Sequence, residues 1–157
     1  MKAQSVSSWQ GKSAEAWRRE WRAGEVRFFE CVGSTNDVVA QLAAAGAPQL
    51  SLAVAEEQTR GRGRGGAAWQ AERGKALLFS VLFRAAQPGG SPGCAPVRVG
   101  LAVAEAISAM CGDDALVKWP NDVVFPGKGK VAGVLCEGAF AAEGQAHIIA
   151  GVGINVL

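Results

Sequence analysis

Residues 122–137 read Asp-Val-Val-Phe-Pro-Gly-Lys-Gly-Lys-Val-Ala-Gly-Val-Leu-Cys-Glu, and this stretch decides the fold class. The apolar runs 122–125 and 130–137 flank the turn-forming segment 126–129, which is the pattern of a β-hairpin. Apolar runs of strand length recur along the chain and predict further strands at 26–31, 50–57, 76–83, 116–119 and 146–156. So many strands predict an extensive sheet around this hairpin.

Two other segments have the spacing of amphipathic helices. The first is expected to begin at Ser34 or Thr35 as the N-cap and to end at Gly46. The second spans 97–111, where the spacing predicts an inward face formed by Val97, Leu101, Ala104, Ile107 and Met110 or Cys111. Many strands with two main helices predict an α+β fold, in which helices back a mixed β-sheet.

Residues 1–25 are predicted to form an N-terminal extension with one short helix. Residues 1–12 are polar and are expected to lack regular structure. The helix is expected over 13–22, with Trp17 and Trp21 four residues apart on one face. We expect this face to pack on the main domain rather than to bind a partner.

Size, charge and cysteine content exclude several classes of protein. The chain has 157 residues, which predicts one domain, and a net charge of +2, which predicts no general attraction to nucleic acid or membranes. No apolar run reaches the length of a membrane span or forms a secretory signal, so a cytoplasmic protein is expected. The four cysteines form no C-x-x-C pair, which argues against zinc and favours free thiols, with Cys31, Cys111 and Cys136 buried.

Residues 58–66 read Gln-Thr-Arg-Gly-Arg-Gly-Arg-Gly-Gly and predict a loop that binds an anion. Glycines let the backbone approach a ligand and present its amide groups, while arginines add paired donors for phosphate or carboxylate. Trp69 follows at a distance that would let it cover a bound ring. The alternative is an RGG-type nucleic-acid segment, although that class is repetitive and only one copy is present here.

Three further segments carry groups suited to a ligand site. Residues 118–122, Lys-Trp-Pro-Asn-Asp, could hold Mg²⁺ and a phosphate, or could simply form a polar turn. Lys130 could neutralise a carboxylate and a phosphate as they meet, or could simply mark the start of a strand. Gly133 leaves room for a ligand and is expected to share a face with Lys130 if no bulge intervenes. The glycines within 151–155 indicate close approach to the backbone, or a bulge.

The residue types that are absent narrow the chemistry further. The chain has one histidine, on a predicted strand, which argues against a Ser–His–Asp or Cys–His nucleophile. It contains neither the G-x-x-x-x-G-K-[ST] phosphate loop nor a dinucleotide fingerprint. If the protein uses ATP, it therefore does so through a different loop.

Taken in order, these segments resemble the biotin–protein ligase family, also called biotin–[acetyl-CoA-carboxylase] ligases. The resemblance runs from about residue 27 to 157 and rests on Ser34-Thr35-Asn36, Glu57-Gln58-Thr59, Gly61-Arg62-Gly63-Arg64 with Trp69, Lys118-Trp119-Pro120-Asn121-Asp122, Lys130 with Ala132-Gly133, and Gly151-Val152-Gly153-Ile154-Asn155. It implies a class II synthetase-like catalytic domain of the biotin/lipoate ligase type at 26–157. It also implies ATP-dependent ligation of biotin to a lysine of a carrier protein through biotinyl-5′-AMP.

The resemblance implies a role for each matching residue. Biotin would be bound by Ser34, Thr35, Gln58, Gly61, Arg62, Arg64, Lys130, Gly133, Gly151 and Gly153. ATP would be bound by Trp69, Lys118, Asn121, Asp122 and Asn155, with Mg²⁺ on Asp122. The catalytic residues would be Lys130, Arg62 and Arg64, because they offset the repulsion between the biotin carboxylate and the α-phosphate.

Partners and domain limits follow from the same resemblance. The expected partner is a biotin carboxyl carrier protein or domain, and a homodimer could form through sheet edges at the strands 130–137 and 146–156. Residues 1–25 are too short for the helix-turn-helix domain of regulatory members, so no DNA binding is expected. Family members continue beyond the position of Leu157, so the rest of the catalytic domain and a small β domain are expected to be absent. Ligases of lipoate or octanoate, which are related in fold, are the main alternative.

Overall fold

The computed structural model describes residues 3–84, 92–140 and 146–156. The helices in these ranges are α1 (Ala14–Glu20), α2 (Thr35–Ala44) and α3 (Ala95–Cys111). The strands are β1 (Gln4–Val6), β2 (Ser8–Trp9), β3 (Lys12–Ser13), β4 (Val26–Cys31), β5 (Leu52–Ala55), β6 (Ala76–Arg84), β7 (Leu116–Lys118), β8 (Asp122–Phe125), β9 (Gly129–Phe140) and β10 (Ala146–Asn155).

One mixed sheet organises the described chain, with the strand order β1-β4-β5-β6-β10-β9-β8-β7. β4 and β5 are parallel, with α2 as the crossover between them. The other neighbouring strands pair antiparallel, including the predicted hairpin of β8 and β9. The predicted α+β architecture with a mixed sheet is therefore confirmed.

Helices cover both faces of this sheet. Phe29 in β4 packs in a cluster with Val39 of α2. Its neighbour Phe28 points to the other face, toward Trp17 of α1, because successive side chains alternate along a strand. α3 packs on that second face as well. Phe79 packs both against the buried residues that contact Trp17 of α1 and against the buried residues of α3. The face that carries α2 is the one on which the candidate site lies.

The inward face of α3 differs from the sequence prediction. The buried residues are Gly100, Val103, Ala104 and Ile107. Leu101 and Met110 are 53% and 86% exposed, and Cys111 is also exposed, so all three were wrongly placed inward. The helix carries apolar residues on more than one stripe, so the spacing alone left its rotation undetermined. Gly100 lies on the buried side of the helix, where a Cβ would be in ordinary van der Waals contact with the Val117 side chain at 3.7 Å.

The prediction that residues 1–12 lack regular structure is wrong for residues 4–12. β1 pairs with β4 at the edge of the main sheet, and β2 and β3 form a small hairpin that leads into α1. Trp9 stacks on Phe28 with 5.6 Å between ring centroids, and the Trp17 indole N–H donates to the Trp9 carbonyl at 2.8 Å. Trp21 meets Phe28 edge-on, so the expected packing of Trp17 and Trp21 on the main domain is confirmed. Burial of Trp9, together with Val6, orders a segment whose other residues are mostly polar.

A register shift between β8 and β9 sets the direction of the Lys130 side chain. Val123 pairs with Ala132, but the next residue, Val124, pairs with Lys130, so β9 carries one extra residue at 131. In a regular strand Lys130 and Gly133 would point to opposite faces, because they lie three residues apart. Across the bulge they share a face, with Lys130 Nζ 3.0 Å from the position of a Gly133 Cβ. The shared face was expected in the absence of a bulge, and it arises from the bulge instead.

The pairing of β9 and β10 within the sheet bears on the predicted homodimer. β9 is hydrogen-bonded to β8 and β10, and β10 is hydrogen-bonded to β9 and β6. The pairing of β8 with β9 ends at Gly133, so among the described residues the rest of β9 pairs with β10 on one side only. A homodimer through these strands therefore stays a prediction. In the described sheet the edge strands are β1 and β7. Within the same residues, no helix combines the length and apolarity needed to cross a membrane.

Candidate active site

A pocket of about 240 Å³ lies between the start of α2, the loop 58–69 and the strands β8, β9 and β10. Small-molecule sites typically span about 300–1,000 Å³, so this pocket suits a compact ligand. Its lining contains every predicted site residue except Gly61, Lys118 and Asn155, together with Asn36 and others. The sequence motifs, which lie as far apart as Ser34 and Gly153, thus converge on one cavity.

Glycines of β9 and β10 form the floor of this pocket. Gly133 and Gly153 stand directly opposite each other in the two strands. A Cβ on Gly153 would lie 2.5 Å from the Trp69 indole, and one on Gly133 would lie 2.9 Å from it. A Cβ on Gly151 would collide with the Asn36 amide. The predicted close approach to these glycines is confirmed, and the approaching groups are the side chains of Trp69 and Asn36.

Gln58 and Ser80 order the first turn of α2. Gln58 Oε1 accepts hydrogen bonds from the Thr35 backbone N–H at 2.7 Å and from Thr35 Oγ1 at 3.0 Å. Ser34 is the N-cap residue but makes no side-chain cap bond, so Gln58 satisfies the helix terminus in its place. The buried Ser80 Oγ lies 2.7 Å from Thr35 Oγ1 and 2.5 Å from Asn36 Oδ1. One wall of the pocket is therefore a connected group of hydroxyls and amides.

Arg62 is held by two carboxylates at the rim of the pocket. Its Nε donates to Glu137 Oε1 at 3.1 Å, and its Nη2 donates to Glu137 Oε2 at 3.0 Å and to Asp37 Oδ1 at 2.8 Å. Glu137 Oε2 also accepts from Asn36 Nδ2 at 2.5 Å. The hydrogen bonds to Glu137 and then to Asp37 raise the pKa of the Arg62 guanidinium, so it stays charged at physiological pH. Protein carboxylates, rather than a ligand, balance most of that charge.

Lys130 and Asp122 form the second charged group of the pocket. Lys130 Nζ lies 2.7 Å from Asp122 Oδ1, and the two side chains are 40% and 30% exposed. The Trp69 ring centroid lies 5.2 Å from the same ammonium group. Trp69 Nε1 is buried and has no hydrogen-bond partner among the described residues. The Asn121 amide donates to the Val134 carbonyl at 3.1 Å, which fixes the turn that carries Asp122.

The arginine–glycine loop folds back on itself as a short hairpin. The Trp69 N–H donates to the Gly61 carbonyl at 3.0 Å, and Arg62 forms an isolated bridge with Ala68. Arg64 lies at the tip, begins a single helical turn and is exposed. Within the described residues Arg64 has no ion-pair partner, whereas Arg62 has two. The two arginines therefore occupy different electrostatic settings.

Three predicted site residues lie outside the lining. A Cβ on Gly61 would lie 2.5 Å from the Trp69 carbonyl oxygen, so Gly61 lets the hairpin close. Lys118 is exposed on β7, where it pairs with Asp122 in the strand register. Asn155 Nδ2 donates to the Lys130 carbonyl at 3.3 Å at the exposed end of β10. All three contact or pair with lining residues, and their roles in ligand binding stay predictions.

Four residues of this site received no role from the sequence: Asn36, Asp37, Ser80 and Glu137. Two of them carried a detectable signal. Ser80 is a lone hydroxyl within an apolar strand, and Glu137 is a lone carboxylate at the end of an apolar run. Buried polar groups need partners, so both positions pointed to a polar network. Asn36 and Glu137 are 101 positions apart, and no local pattern could have joined them.

The thiols take no part in this pocket. The cysteines are free, as predicted, but Cys111, the last residue of α3, is exposed rather than buried. Cys31 and Cys136 are half-buried. Burial raises the pKa of the Cys136 thiol to about 11, which makes it a poor nucleophile at neutral pH.

The carboxylates near the pocket fit a nucleotide-borne magnesium ion better than a dedicated metal cage. Within residues 3–84, 92–140 and 146–156 no cluster of three or more His, Cys, Asp or Glu side chains is placed to hold a metal. Asp122 contributes one carboxylate, with one oxygen beside Lys130. Mg²⁺ bound together with phosphates is commonly held by one or two protein carboxylates, and Mg²⁺ on Asp122 stays a prediction.

Residues 28–155 match the sequence model of the Biotin/lipoate A/B protein ligase family. The chain belongs to this family. The bifunctional ligase/repressor BirA of Bacillus spizizenii is 33% identical over 129 residues, which cover 82% of this chain and 39% of that protein. The biotin–[acetyl-CoA-carboxylase] ligase of Mycobacterium tuberculosis is 36% identical over 129 residues, which cover 79% of this chain and 46% of that protein.

The fold of this family member agrees with that of a solved relative. The crystal structure of biotin protein ligase from Leishmania major in complex with biotinyl-5-AMP matches with a TM-score of 0.58 and 29% identity. The match covers 83% of this chain and 56% of that one. The predicted ligase catalytic fold is therefore confirmed. The chain spans about two fifths to one half of the length of these curated relatives.

Proposed function

We propose that this protein activates biotin with ATP to form biotinyl-5′-AMP and transfers the biotinyl group to a lysine of a carrier protein. The observation that carries the proposal is the pocket itself. It brings the polar wall of Thr35, Asn36 and Gln58 and the ammonium group of Lys130 onto one glycine floor. The names of the relatives, which are biotin ligases, support the same activity.

The pocket offers each part of biotin a chemically suitable surface. Ser34, Thr35 and Gln58 would contact the ureido ring, because hydroxyls and amides supply both donors and acceptors. Gly133, Gly151 and Gly153 let the Trp69 ring and the Asn36 amide rest against the floor. The apolar ring and chain of biotin would lie beside these two side chains. Small-ligand sites are usually apolar surfaces on which a few polar groups fix the orientation of the ligand.

Lys130 is proposed to act where the two substrates react. In the first step a biotin carboxylate oxygen attacks the α-phosphorus of ATP, a new P–O bond forms, and pyrophosphate leaves. Both reactants are anionic, so an ammonium group between them stabilises the transition state. Trp69 would pack beside the adenylate, while Asn121, Asp122, Lys118 and Asn155 would lie on the nucleotide side. Mg²⁺ on the phosphates and Asp122 would reduce the negative charge further.

Arg62 and Arg64 are proposed to have separate tasks within the loop. Arg64, exposed at the tip and without an ion-pair partner in the described residues, would contact the adenylate phosphate. Arg62, already paired with Glu137 and Asp37, would hold the loop in place. A loop closed over the mixed anhydride keeps water away from it until an amine arrives.

In the second step the partner would be a biotin carboxyl carrier protein or domain. Its lysine amine attacks the carbonyl carbon of biotinyl-5′-AMP, the bond from that carbon to the phosphate oxygen breaks, and AMP leaves. The amide forms as the amine nitrogen loses a proton. No nucleophilic side chain of the enzyme is needed in either step. This agrees with a pocket lining that contains neither histidine nor cysteine.

Lipoate is the alternative acyl substrate, since the family includes lipoate ligases. The biotin ligases among the relatives favour biotin. Nucleic-acid binding by the loop is not favoured, because a short hairpin with Arg62 bound to two carboxylates presents few free arginines to a phosphate backbone.

Intact mass spectrometry of a carrier domain tests the proposal. The protein is incubated with MgATP, a carrier domain, and either biotin or lipoate. We expect one biotinyl group on the carrier, dependent on ATP, and no reaction with lipoate. Lipoylation alone would overturn the choice of substrate, and bound biotinyl-5′-AMP without transfer would restrict the activity to the first step.

A further inference from the structure

Glu137 joins three separate elements through one carboxylate. It projects from β9, and its two oxygens accept from Arg62 Nε at 3.1 Å and Arg62 Nη2 at 3.0 Å. The oxygen Oε2 also accepts from Asn36 Nδ2 at 2.5 Å, in the first turn of α2. The β9 strand, the arginine–glycine loop and α2 thus meet at a single side chain.

This arrangement fixes the guanidinium of Arg62 in direction as well as in place. A paired contact between a guanidinium and a carboxylate restricts rotation, unlike a contact with a single ammonium group. Asp37 accepts from Nη2 on the other side at 2.8 Å. Among the described residues no partner accepts from Nη1. The two carboxylates therefore leave one edge of the guanidinium for a ligand.

The other arm of the contact reaches the pocket floor. The Asn36 amide, held by Glu137 through its nitrogen, rests with its oxygen against Gly151 and within 2.5 Å of Ser80 Oγ. An amide fixed from both ends keeps one orientation, so its oxygen stays on the Ser80 and Gly151 side. If Glu137 lost its charge, the loop and this amide would both be freed.

We propose that Glu137 is a positioning residue for biotin, which links the loop that closes over the ligand to the polar wall that recognises it. The inference rests on the proposed function. Glu137 acts through Arg62 and Asn36 and lies outside the pocket lining. An isolated ion pair of similar exposure contributes little to stability or function, and the effect here comes from the shared contacts.

A matched pair of variants tests this. Glu137→Gln removes the charge that holds Arg62, and Glu30→Gln removes a carboxylate of equal exposure, 39% against 38%, that pairs with Arg73 outside the pocket. In biotin-dependent ATP–pyrophosphate exchange, Glu137→Gln is expected to raise the KM for biotin about tenfold, as loss of a charged hydrogen bond does. The KM for ATP is expected to stay within about twofold, and Glu30→Gln to leave both unchanged. An equal rise in both KM values, or a lowered kcat alone, would overturn the proposal.

Limited digestion with trypsin tests the contact between Glu137 and Arg62 without any substrate. Cleavage after Arg60, Arg62 and Arg64 is expected to speed up about tenfold in Glu137→Gln and to be unchanged in Glu30→Gln, since loops are cut when they detach. Unchanged cleavage would remove the structural half of the proposal. If the wild-type protein shows no exchange with biotin, the proposed function fails, while the digestion still reports on the contact.

A double variant separates an effect through Arg62 from a general loss of structure. If Glu137 acts in part through Arg62, the double variant of Arg62→Gln and Glu137→Gln should raise the KM for biotin by less than the product of the two single effects, with the contact to Asn36 accounting for the remainder. Additive effects would contradict the mechanism. Where Glu137→Gln does not fold by circular dichroism, Arg62→Lys keeps the charge but lacks the paired donors, and a KM for biotin near the wild-type value would then overturn the proposal.

Discussion

Two lysines lie close together in the β8–β9 hairpin but in different surroundings. Lys130 Nζ contacts Asp122 inside the pocket, whereas Lys128 Nζ meets Asp113 at 2.6 Å on the surface with 67% of its side chain exposed. We predict that Lys130→Ala lowers the rate of biotinyl-5′-AMP formation at least about a hundredfold, because removal of one stabilising charge costs about this much. Lys128→Ala should retain the wild-type rate, since an exposed pair contributes little.

Chromatography of radiolabelled AMP products measures this difference, with circular dichroism as a check on folding. If both variants keep near-normal adenylate formation, Lys130 does not belong to the reacting centre.

Arg60 and Arg64 of the loop also lie in different surroundings. Arg64 lies at the exposed tip, while the Arg60 guanidinium is packed over Gly33, where a Cβ would lie 2.8 Å from it. Arg64→Ala is expected to speed release of biotinyl-5′-AMP about tenfold, because a charged contact to the phosphate is lost. Arg60→Ala should change release less than about twofold. Rapid dilution with stopped-flow fluorescence gives both rates, and equal rates for Arg64→Ala and wild type would exclude a phosphate contact.

The opposed glycines of β9 and β10 tolerate little added side-chain volume, because the Trp69 ring lies against them. A methyl group on Gly153 would lie 2.5 Å from the Trp69 ring, whereas one on Gly138 would lie 3.7 Å from the nearest described atom, the His147 carbonyl oxygen. Gly153→Ala is therefore predicted to destabilise the fold by about 1–3 kcal/mol through overpacking, and to weaken biotin binding as Trp69 is displaced. Gly138→Ala should be nearly neutral.

Urea unfolding and calorimetric titration with biotin compare these two variants. A Gly153→Ala protein with wild-type stability and affinity would mean that Trp69 does not rest on the strand in solution.

Local patterns predicted the elements well but not how they turn or connect. The hairpin, α2 and most strands followed from apolar spacing, because each pattern lies within one segment. The rotation of α3 was not predicted, because the inward face is decided by packing against the distant strands β7, β8, β9 and β10. The bulge at 131 was not predicted either, because it depends on how β9 pairs with β8.

The site residues, too, could be predicted from the sequence only where the signal lies within one segment. Motifs such as Ser34-Thr35 and 58–66 pointed to ligand binding, because glycines, arginines and capping residues have local meanings. The contact of Glu137 with Asn36 and Arg62 spans 101 and 75 positions. Such contacts depend on the strand order, which a single sequence does not contain.

In the molecule as a whole, the N-terminal segment belongs to the sheet that carries the site. β1 extends the sheet beside β4, and Trp9 stacks on the fully buried Phe28. Trp9→Ala is predicted to destabilise the protein by about 2–3 kcal/mol, since an aromatic contact with the core is lost. Met110→Ala, at a side chain that is 86% exposed, should cost less than about 0.5 kcal/mol.

Thermal unfolding followed by tryptophan fluorescence and circular dichroism measures both changes. The KM for biotin should be unaffected in each variant, because neither residue lines the pocket. A Trp9→Ala protein of wild-type stability would show that residues 3–13 do not pack on the sheet.

We expect the pocket of this chain to make biotinyl-5′-AMP, and the chain matches only part of the length of its relatives. Exchange of labelled pyrophosphate into ATP, measured with biotin and with lipoate side by side, detects this reaction without a carrier protein. We predict exchange that depends on biotin and is lost in Lys130→Ala. Exchange with lipoate alone, or exchange that does not depend on biotin, would contradict it.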